Sequence, residues 1–270
     1  MKFSVLLSVY IKEKPQYLNK AIDSILNQTV KPSEIVIVKD GPLTDELEQM
    51  ISKFIKNYPD VFEIIDLEVN KGLGKALKIG LNKCKYNLIA RMDTDDISKP
   101  QRFEKQLSIF KKKPKIDIVG SWVDEFEKDI SNVISTRKVP QYNEEIKKFA
   151  KTRNPFNHPS VMFKKESVLE ARNYKDFYLN EDYYLWLRML NMDFEGYNIQ
   201  ESLLYFRVNK DTFKRRGGIK YALQDVKLQN KLLEMDFINK FEYLKNILTK
   251  PVVRVLPNFL REYIYKSLLR

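Results

Sequence analysis

With 270 residues and a mass of 32.1 kDa, the chain is long enough to bury a substantial core, as one large domain or as a domain with a smaller appendage. Hydrophobic residues at 43% and aromatics at 12% exclude a solvating, disordered chain, and the longest apolar runs are too short to span a bilayer. The single cysteine, Cys84, excludes an intrachain disulfide, fits a reducing cytosol and leaves no Cys/His set for structural zinc, while a formal net charge of +12 favours anionic partners: nucleic acid, anionic lipid headgroups or phosphorylated small molecules.

The opening Met1-Lys2-Phe3-Ser4-Val5-Leu6-Leu7-Ser8-Val9-Tyr10 is too briefly apolar for a signal peptide and lacks a small-residue cleavage site, so residues 3–9 read as a first buried strand. Further strands are expected over 34–38, 62–68 and 86–92, alternating with helices over 17–28, 45–57, 74–84 and 101–112. Such alternation predicts an α/β chain with a mostly parallel sheet flanked by helices, with ligands at the carboxyl ends of its strands. Those ends carry Ser8-Val9-Tyr10, then Lys39-Asp40-Gly41-Pro42, then a loop in which Lys71, Gly72, Gly74 and Lys75 precede a helix whose amides suit an anion. Neither a Walker A loop nor a G-x-G-x-x-G fingerprint is present.

The fourth strand runs into Asp93-Thr94-Asp95-Asp96. Three crowded carboxylates repel one another and raise each other's pKa, and a hard divalent cation carrying a phosphate relieves that cost. The plainer reading is an acidic turn before a helix, with Ser98 as N-cap and Pro100 in its first turn. Beyond Pro114 the pattern predicts antiparallel strands over 116–119, 121–126 and 133–137, then a helix over 143–151, a loop that holds the only histidine, His158, and a strand over 161–163. Glu181-Asp182 opens a helix over 183–192, either as a favourable charge at its N-terminus or as a general base brought from far in sequence to the first cluster. Arg207 and the run Lys214-Arg215-Arg216 offer planar donors for a diphosphate, or form a solvated basic loop. From Gly218 the chain reads as helices to its end, interrupted at Pro251 and Pro257. Two-thirds of the positive excess lies in residues 201–270, with 15 Lys/Arg against 7 Asp/Glu among many bulky apolar residues, a composition that suits either an anionic membrane surface or a helix pair packed on the core.

The ordered set Ser8-Val9-Tyr10, Ala21-Ile22-Asp23-Ser24-Ile25-Leu26-Asn27-Gln28-Thr29, Glu34-Ile35-Val36-Ile37-Val38-Lys39-Asp40-Gly41, Asn70-Lys71-Gly72, Ala90-Arg91-Met92-Asp93-Thr94-Asp95-Asp96 and Glu181-Asp182 resembles the family 2 inverting glycosyltransferases, most of all their bacterial polysaccharide-assembly branch. The resemblance implies a GT-A fold (Rossmann-like), with residues 1–220 as the catalytic domain, 1–115 its nucleotide-binding half and 116–220 its acceptor-binding half. Residues 221–270 would be a basic, apolar helical extension. It implies a nucleotide-diphosphate sugar donor, UDP-linked above all, and Mn²⁺ or Mg²⁺ as cofactor. Ser8 and Tyr10 would lie along the nucleoside, Asp40 at the base, and Lys71, Arg215 and Arg216 near the donor. Asp93 would contact ribose or metal, Asp95 would ligate the ion, and Asp182 would be the catalytic base. Glu181, His158 and Asp96 would be acceptor-side or accessory groups. The resemblance further implies a lipid-linked oligosaccharide acceptor at the inner face of the plasma membrane, reached by a peripheral protein.

Two departures stand out. Lys39 and Pro42 replace an acid and a hydroxyl of the usual Asp-Asp-Gly-Ser turn, and the Gln-x-x-Arg-Trp motif of processive relatives is absent, which favours transfer of one sugar. A nucleotidyltransferase would also use strand-end carboxylates and a divalent ion, but should carry a glycine-rich, arginine-bearing stretch where this chain has Ser8-Val9-Tyr10-Ile11-Lys12-Glu13. A basic nucleic-acid-binding protein should show a stacking platform, and none is evident in the sequence.

Overall fold

The computed structural model describes residues 1–208 and 218–255; Lys214, Arg215, Arg216, Pro257 and the rest of 256–270 lie outside the described residues. Strands β1 (Phe3–Val9), β2 (Glu34–Lys39), β3 (Phe62–Asp66) and β4 (Leu88–Arg91) form the parallel half of one sheet in the order β3-β2-β1-β4. Helices α1 (Pro15–Leu26), α2 (Asp45–Asn57) and α3 (Leu73–Lys83) make the crossovers. The strands are apolar on both faces because both faces are covered. Val5, Leu7, Ile35 and Ile37 pack with α1, α2 and α4 (Arg102–Lys112), whereas Leu6, Val36 and Val38 pack with Ala76, Leu77 and Leu81 of α3. Helix α3 closes on the sheet at Gly80, where a Cβ would lie 2.5 Å from Leu6 Cδ1 and 2.6 Å from Val38 Cγ2.

The sheet continues as β8 (Met162–Lys164), β6 (Ile116–Phe126), β9 (Glu195–Arg207) and β5 (Ile97–Ser98), with β7 (Val133–Arg137) on β6. Strand β8 is antiparallel to both β4 and β6, and β9 runs parallel to β6. Helices α5 (Asn143–Ala150), α6 (Lys165–Glu170) and α7 (Glu181–Asn191) and a 3₁₀ turn, His158–Ser160, fill the second half. Two helices, α8 (Ile219–Glu234) and α9 (Lys240–Val255), end the described chain.

Four sequence expectations change. Residues 116–126 form one continuous strand instead of two; at Gly120 it passes so close to β9 that a Cβ would strike Asn198 Oδ1 at 2.2 Å. Strand β9 had no sequence counterpart. Ser98 is not a helix cap: it sits in β5 opposite Leu204, its amide bound to Ser24 Oγ at 3.0 Å, and α4 starts later with Gln101 before it. Helix α9 runs through Pro251, since a proline removes one hydrogen bond while the flanking turns keep theirs.

Helices α8 and α9 pack together and against α7 and α5. Leu228, Leu232 and Ile238 join the core around Trp186, Asn246 Nδ2 donates to the Lys151 carbonyl (2.9 Å) and to Gln229 Oε1 (2.8 Å), and Arg254 pairs with Asp225 (2.7 Å).

Candidate active site

The carboxyl ends of β1, β2 and β4, the loop between β3 and α3, and the start of α7 converge on one edge of the sheet. At the end of β2, Asp40 takes the backbone amides of Lys71 (2.6 Å) and Gly72 (3.0 Å) on its two oxygens, and its carbonyl takes Asn70 Nδ2 at 3.1 Å. Gly41, at φ +89°, is required there, since a Cβ would lie 2.8 Å from the Asn70 nitrogen. Asp40 thus ties two loops together, while the side chain of Lys71 stays exposed. Ser8 is half-buried at the end of β1 and Tyr10 is exposed. Lys39, where the usual turn has an acid, pairs with Glu48 (2.6 Å) and Asp66 (3.0 Å).

The Asp93-Thr94-Asp95-Asp96 turn is held from beneath by two buried arginines. Arg91 donates to Asp93 Oδ1 (2.5 Å) and to the Leu6 carbonyl (3.2 Å), and Arg102 donates to the carbonyls of Arg91 (2.6 Å) and Val161 (3.2 Å). Thr94 donates to Glu13 at 2.5 Å, which brings a further carboxylate from the β1–α1 loop. Burial, then the charges of Asp93 and Glu13, push the Asp95 carboxyl up to about 7. Asp96 is fully buried, and its Oδ1 accepts the Arg207 amide at 2.8 Å. Arg207 is a builder of the site and not an open diphosphate clamp. Its Nε donates to the Asp95 carbonyl (2.8 Å), and its guanidinium stacks on Tyr17 and Phe126 with centroids 4.0 and 4.4 Å away.

Across from this turn lie Glu181 and Asp182, in the first turn of α7. Asp182 Oδ1 accepts the Tyr183 amide and Oδ2 accepts Asn154 Nδ2, both at 2.7 Å. Asn154 Oδ1 is itself pinned by the Phe156 amide at 3.3 Å, which aims the amide donor at the carboxylate. Burial raises the Asp182 pKa, and the Tyr183 amide, Asn154 and the nearby charge of Arg137 oppose it. Glu181 is pushed up to about 7 by burial and then by Asp182; Asp93 adds to the push and Arg91 resists it, so residues 88 positions apart share one field. The start of α3 abuts the same place, since a Cβ on Gly74 would lie 3.2 Å from Glu181 Cβ. His158 bonds Tyr174 Oη through Nε2 at 3.0 Å and faces Trp186; burial and the Arg91 charge hold its pKa well below 6.5, so it is a neutral ring at pH 7.

Sequence reasoning named the carboxylates but missed Glu13, Asn154 and Arg91 as the groups around them, and Tyr174 as the partner of His158. Among the described residues no three acidic, His or Cys side chains are disposed as a metal cage. Mg²⁺ commonly uses one or two carboxylates with substrate phosphates, and the half-buried Asp95, its pKa raised beside Asp93, has that donor chemistry. Concavity alone does not mark this site: a cleft of about 480 Å³ between α4 and β9, lined by Gln101, Lys105, Ser108, Tyr197 and Glu201, contains none of these groups.

Comparison with known proteins agrees with this fold. The chain is 43% identical over 269 residues to the UDP-Gal:alpha-D-GlcNAc-diphosphoundecaprenol beta-1,3-galactosyltransferase of Escherichia coli, covering 100% of this chain and 97% of that one. It is 36% identical to the amylovoran biosynthesis glycosyltransferase AmsE of Erwinia amylovora, covering 98% of each. A solved S. aureus TarS fragment in complex with UDP-GlcNAc shares the fold, with a TM-score of 0.69 at 16% identity over 100% of this chain and 76% of that one. The mannosyltransferase PcManGT of Pyrobaculum calidifontis, in complex with GDP-Man and Mn²⁺, does so at a TM-score of 0.66 and 15% identity over 99% of this chain and 80% of that one. The family description Glycosyl transferase family 2 matches residues 4–172, and with the GT-A sheet and its strand-end carboxylates the chain belongs to that family of glycosyltransferases.

Proposed function

We propose that the protein transfers a single hexose or N-acetylhexosamine, with inversion, from a UDP-sugar to a lipid-linked glycan in bacterial surface polysaccharide synthesis, working at the inner face of the plasma membrane. The observation that carries the reading is the start of α7, where Asp182 is held by two donors and the adjacent Glu181 feels the charge of Asp93 in the turn after β4. Support for UDP and for a lipid diphosphate comes from the wording of the E. coli relative's name, which makes UDP-galactose the first donor to test. The nucleotidyltransferase and nucleic-acid-binding alternatives give way to the family membership.

In this mechanism Asp182 takes the proton of the acceptor hydroxyl as the oxygen bonds to the anomeric carbon. The bond from that carbon to the diphosphate breaks on the opposite face, its electron pair leaves with UDP, and the configuration inverts. Ser8 and Tyr10 line the nucleoside, Asp40 fixes the loops around the base, and Lys71 stands at the donor side. Asp93 and Asp95 would hold Mn²⁺ or Mg²⁺, whose Lewis acidity neutralises charge on the departing diphosphate. Glu181 orients the acceptor. Arg215 and Arg216 belong to this reading as donor-side cations, although they lie outside the described residues.

The test is thermal stabilisation by UDP, GDP, ADP, CMP and dTDP, each with and without Mn²⁺. A ligand that binds only the folded state raises the melting temperature, by about 2.7 kcal/mol of stability at a hundredfold excess over Kd. The expected result is a Mn²⁺-dependent shift with UDP that Asp95→Ala loses. A shift with another nucleotide alone, or none with any, overturns the donor assignment.

A further inference from the structure

Among the described residues, helix α9 meets the protein along one side. Glu242 and Asn246, one turn apart, grip Lys151 through its ammonium (2.8 Å) and its carbonyl (2.9 Å), Tyr243 bonds Asn230 of α8 (2.8 Å), and Arg254 reaches Asp225. On the opposite side, at helical spacing, stand Phe241, Leu244 and Leu248, which are 78%, 54% and 63% exposed. Large apolar side chains at i, i+3 and i+7 form a stripe, and an exposed stripe of this kind marks a surface made to be covered. The exposed Lys240 and Lys245 fall on its two edges by the same 3.6-residue periodicity, and neither is in an ion pair among the described residues. The only carboxylate of the helix, Glu242, is turned inward to Lys151. Helix α8 repeats the composition, with exposed Ile219 and Leu223 beside exposed Lys220 and Lys227.

The outer face of α9, apolar and cationic with no carboxylate, matches one partner chemistry, the headgroup layer of an anionic bilayer. We propose that α9 docks the protein on such a membrane, with Phe241, Leu244 and Leu248 inserted and Lys240 and Lys245 at the lipid phosphates. The proposal deepens the lipid-linked acceptor reading and in its functional meaning rests on it. The inner side of the same helix grips Lys151, three residues before Asn154, whose amide holds Asp182. Docking through α9 therefore brings the base to the surface from which a lipid-linked acceptor projects.

The experiment is cosedimentation of the full chain with phosphatidylglycerol-containing vesicles and with pure phosphatidylcholine vesicles, without donor or acceptor. Binding is expected on the anionic vesicles and should weaken as salt rises. Replacing Phe241, Leu244 and Leu248 together by Ser, and separately Lys240→Glu with Lys245→Glu, should each weaken it by about tenfold or more. Melting temperature and circular dichroism should stay at wild-type values, because all five side chains are exposed. Vesicle binding retained by both variants overturns the proposal. So does a wild-type dimer in light scattering that the serine variant converts to monomers while neither protein binds vesicles. A negative vesicle result leaves the nucleotide shift standing, and a missing nucleotide shift leaves the vesicle result standing, so the two readings fail separately.

Discussion

The carboxylates of this site differ in what holds them, and the proposed roles follow that difference. Burial raises both carboxyls, but Asp182 keeps two donors on its charged form that oppose it, whereas Glu181, one residue away, is pushed further by its neighbour's charge. Asp182→Asn is expected to lower kcat by about 10²–10⁴ while leaving the UDP-induced thermal shift intact; wild-type turnover would move the base to another carboxylate. In the proposed mechanism Asn154 acts through Asp182, as a positioning residue. A hydrogen bond to a charged group contributes roughly 1.5–3 kcal/mol, so its loss in Asn154→Ala favours the protonated acid and moves the acidic limb of the kcat/KM profile up by about one pH unit. A merely structural asparagine would lower activity at every pH without moving that limb.

At the scale of elements, the site depends on how closely α3 approaches the sheet, because α3 carries the Lys71–Gly74 entry that Asp40 and Glu181 meet. Gly80 sets that distance. Glycine inside a helix ordinarily costs about 1 kcal/mol against alanine, yet here added bulk meets the fully buried Leu6 and Val38. Gly80→Val is therefore expected to destabilise the fold by about 1–3 kcal/mol in urea titration and to weaken UDP binding as well. Stability equal to wild type would mean that α3 is free to shift without disturbing the loop.

Across the whole molecule, raised carboxylate pKa values make the folded state bind protons more tightly than the unfolded chain. Stability from such groups is complete below their unfolded pKa and is lost as pH rises through the folded one. For Glu181 that window runs from the ordinary 4.5 to about 7. His158, held neutral, works in the opposite sense below its ordinary 6.5. Glu181→Gln should accordingly raise the melting temperature by a few degrees at pH 8 and by nothing near pH 4.5. An equal gain at both values would trace the effect to packing instead of charge.

Local chemistry was enough to reveal the alternating strands and helices of residues 1–112 and the carboxylates at the strand ends, because each buried parallel strand is a continuous apolar run and each helix has its own period. It was also enough to identify the family, since short motifs in fixed order are a property of the chain itself. Strand β9 was not legible: Glu195, Asn198, Gln200 and Glu201 interrupt any apolar pattern, and the strand exists because β6 offers a ladder and Asn198 finds the carbonyls of Pro140 and Pro155. Asp96 and Arg207 looked like open polar groups until folding buried them against each other, and Asn154 gained its role only when α7 came within 2.7 Å. Residue type and local order were written in the sequence; the tertiary structure alone decided which carboxylates share a field and which donors hold them, because burial and distance through space set pKa and hydrogen bonding, and neither follows from separation along the chain.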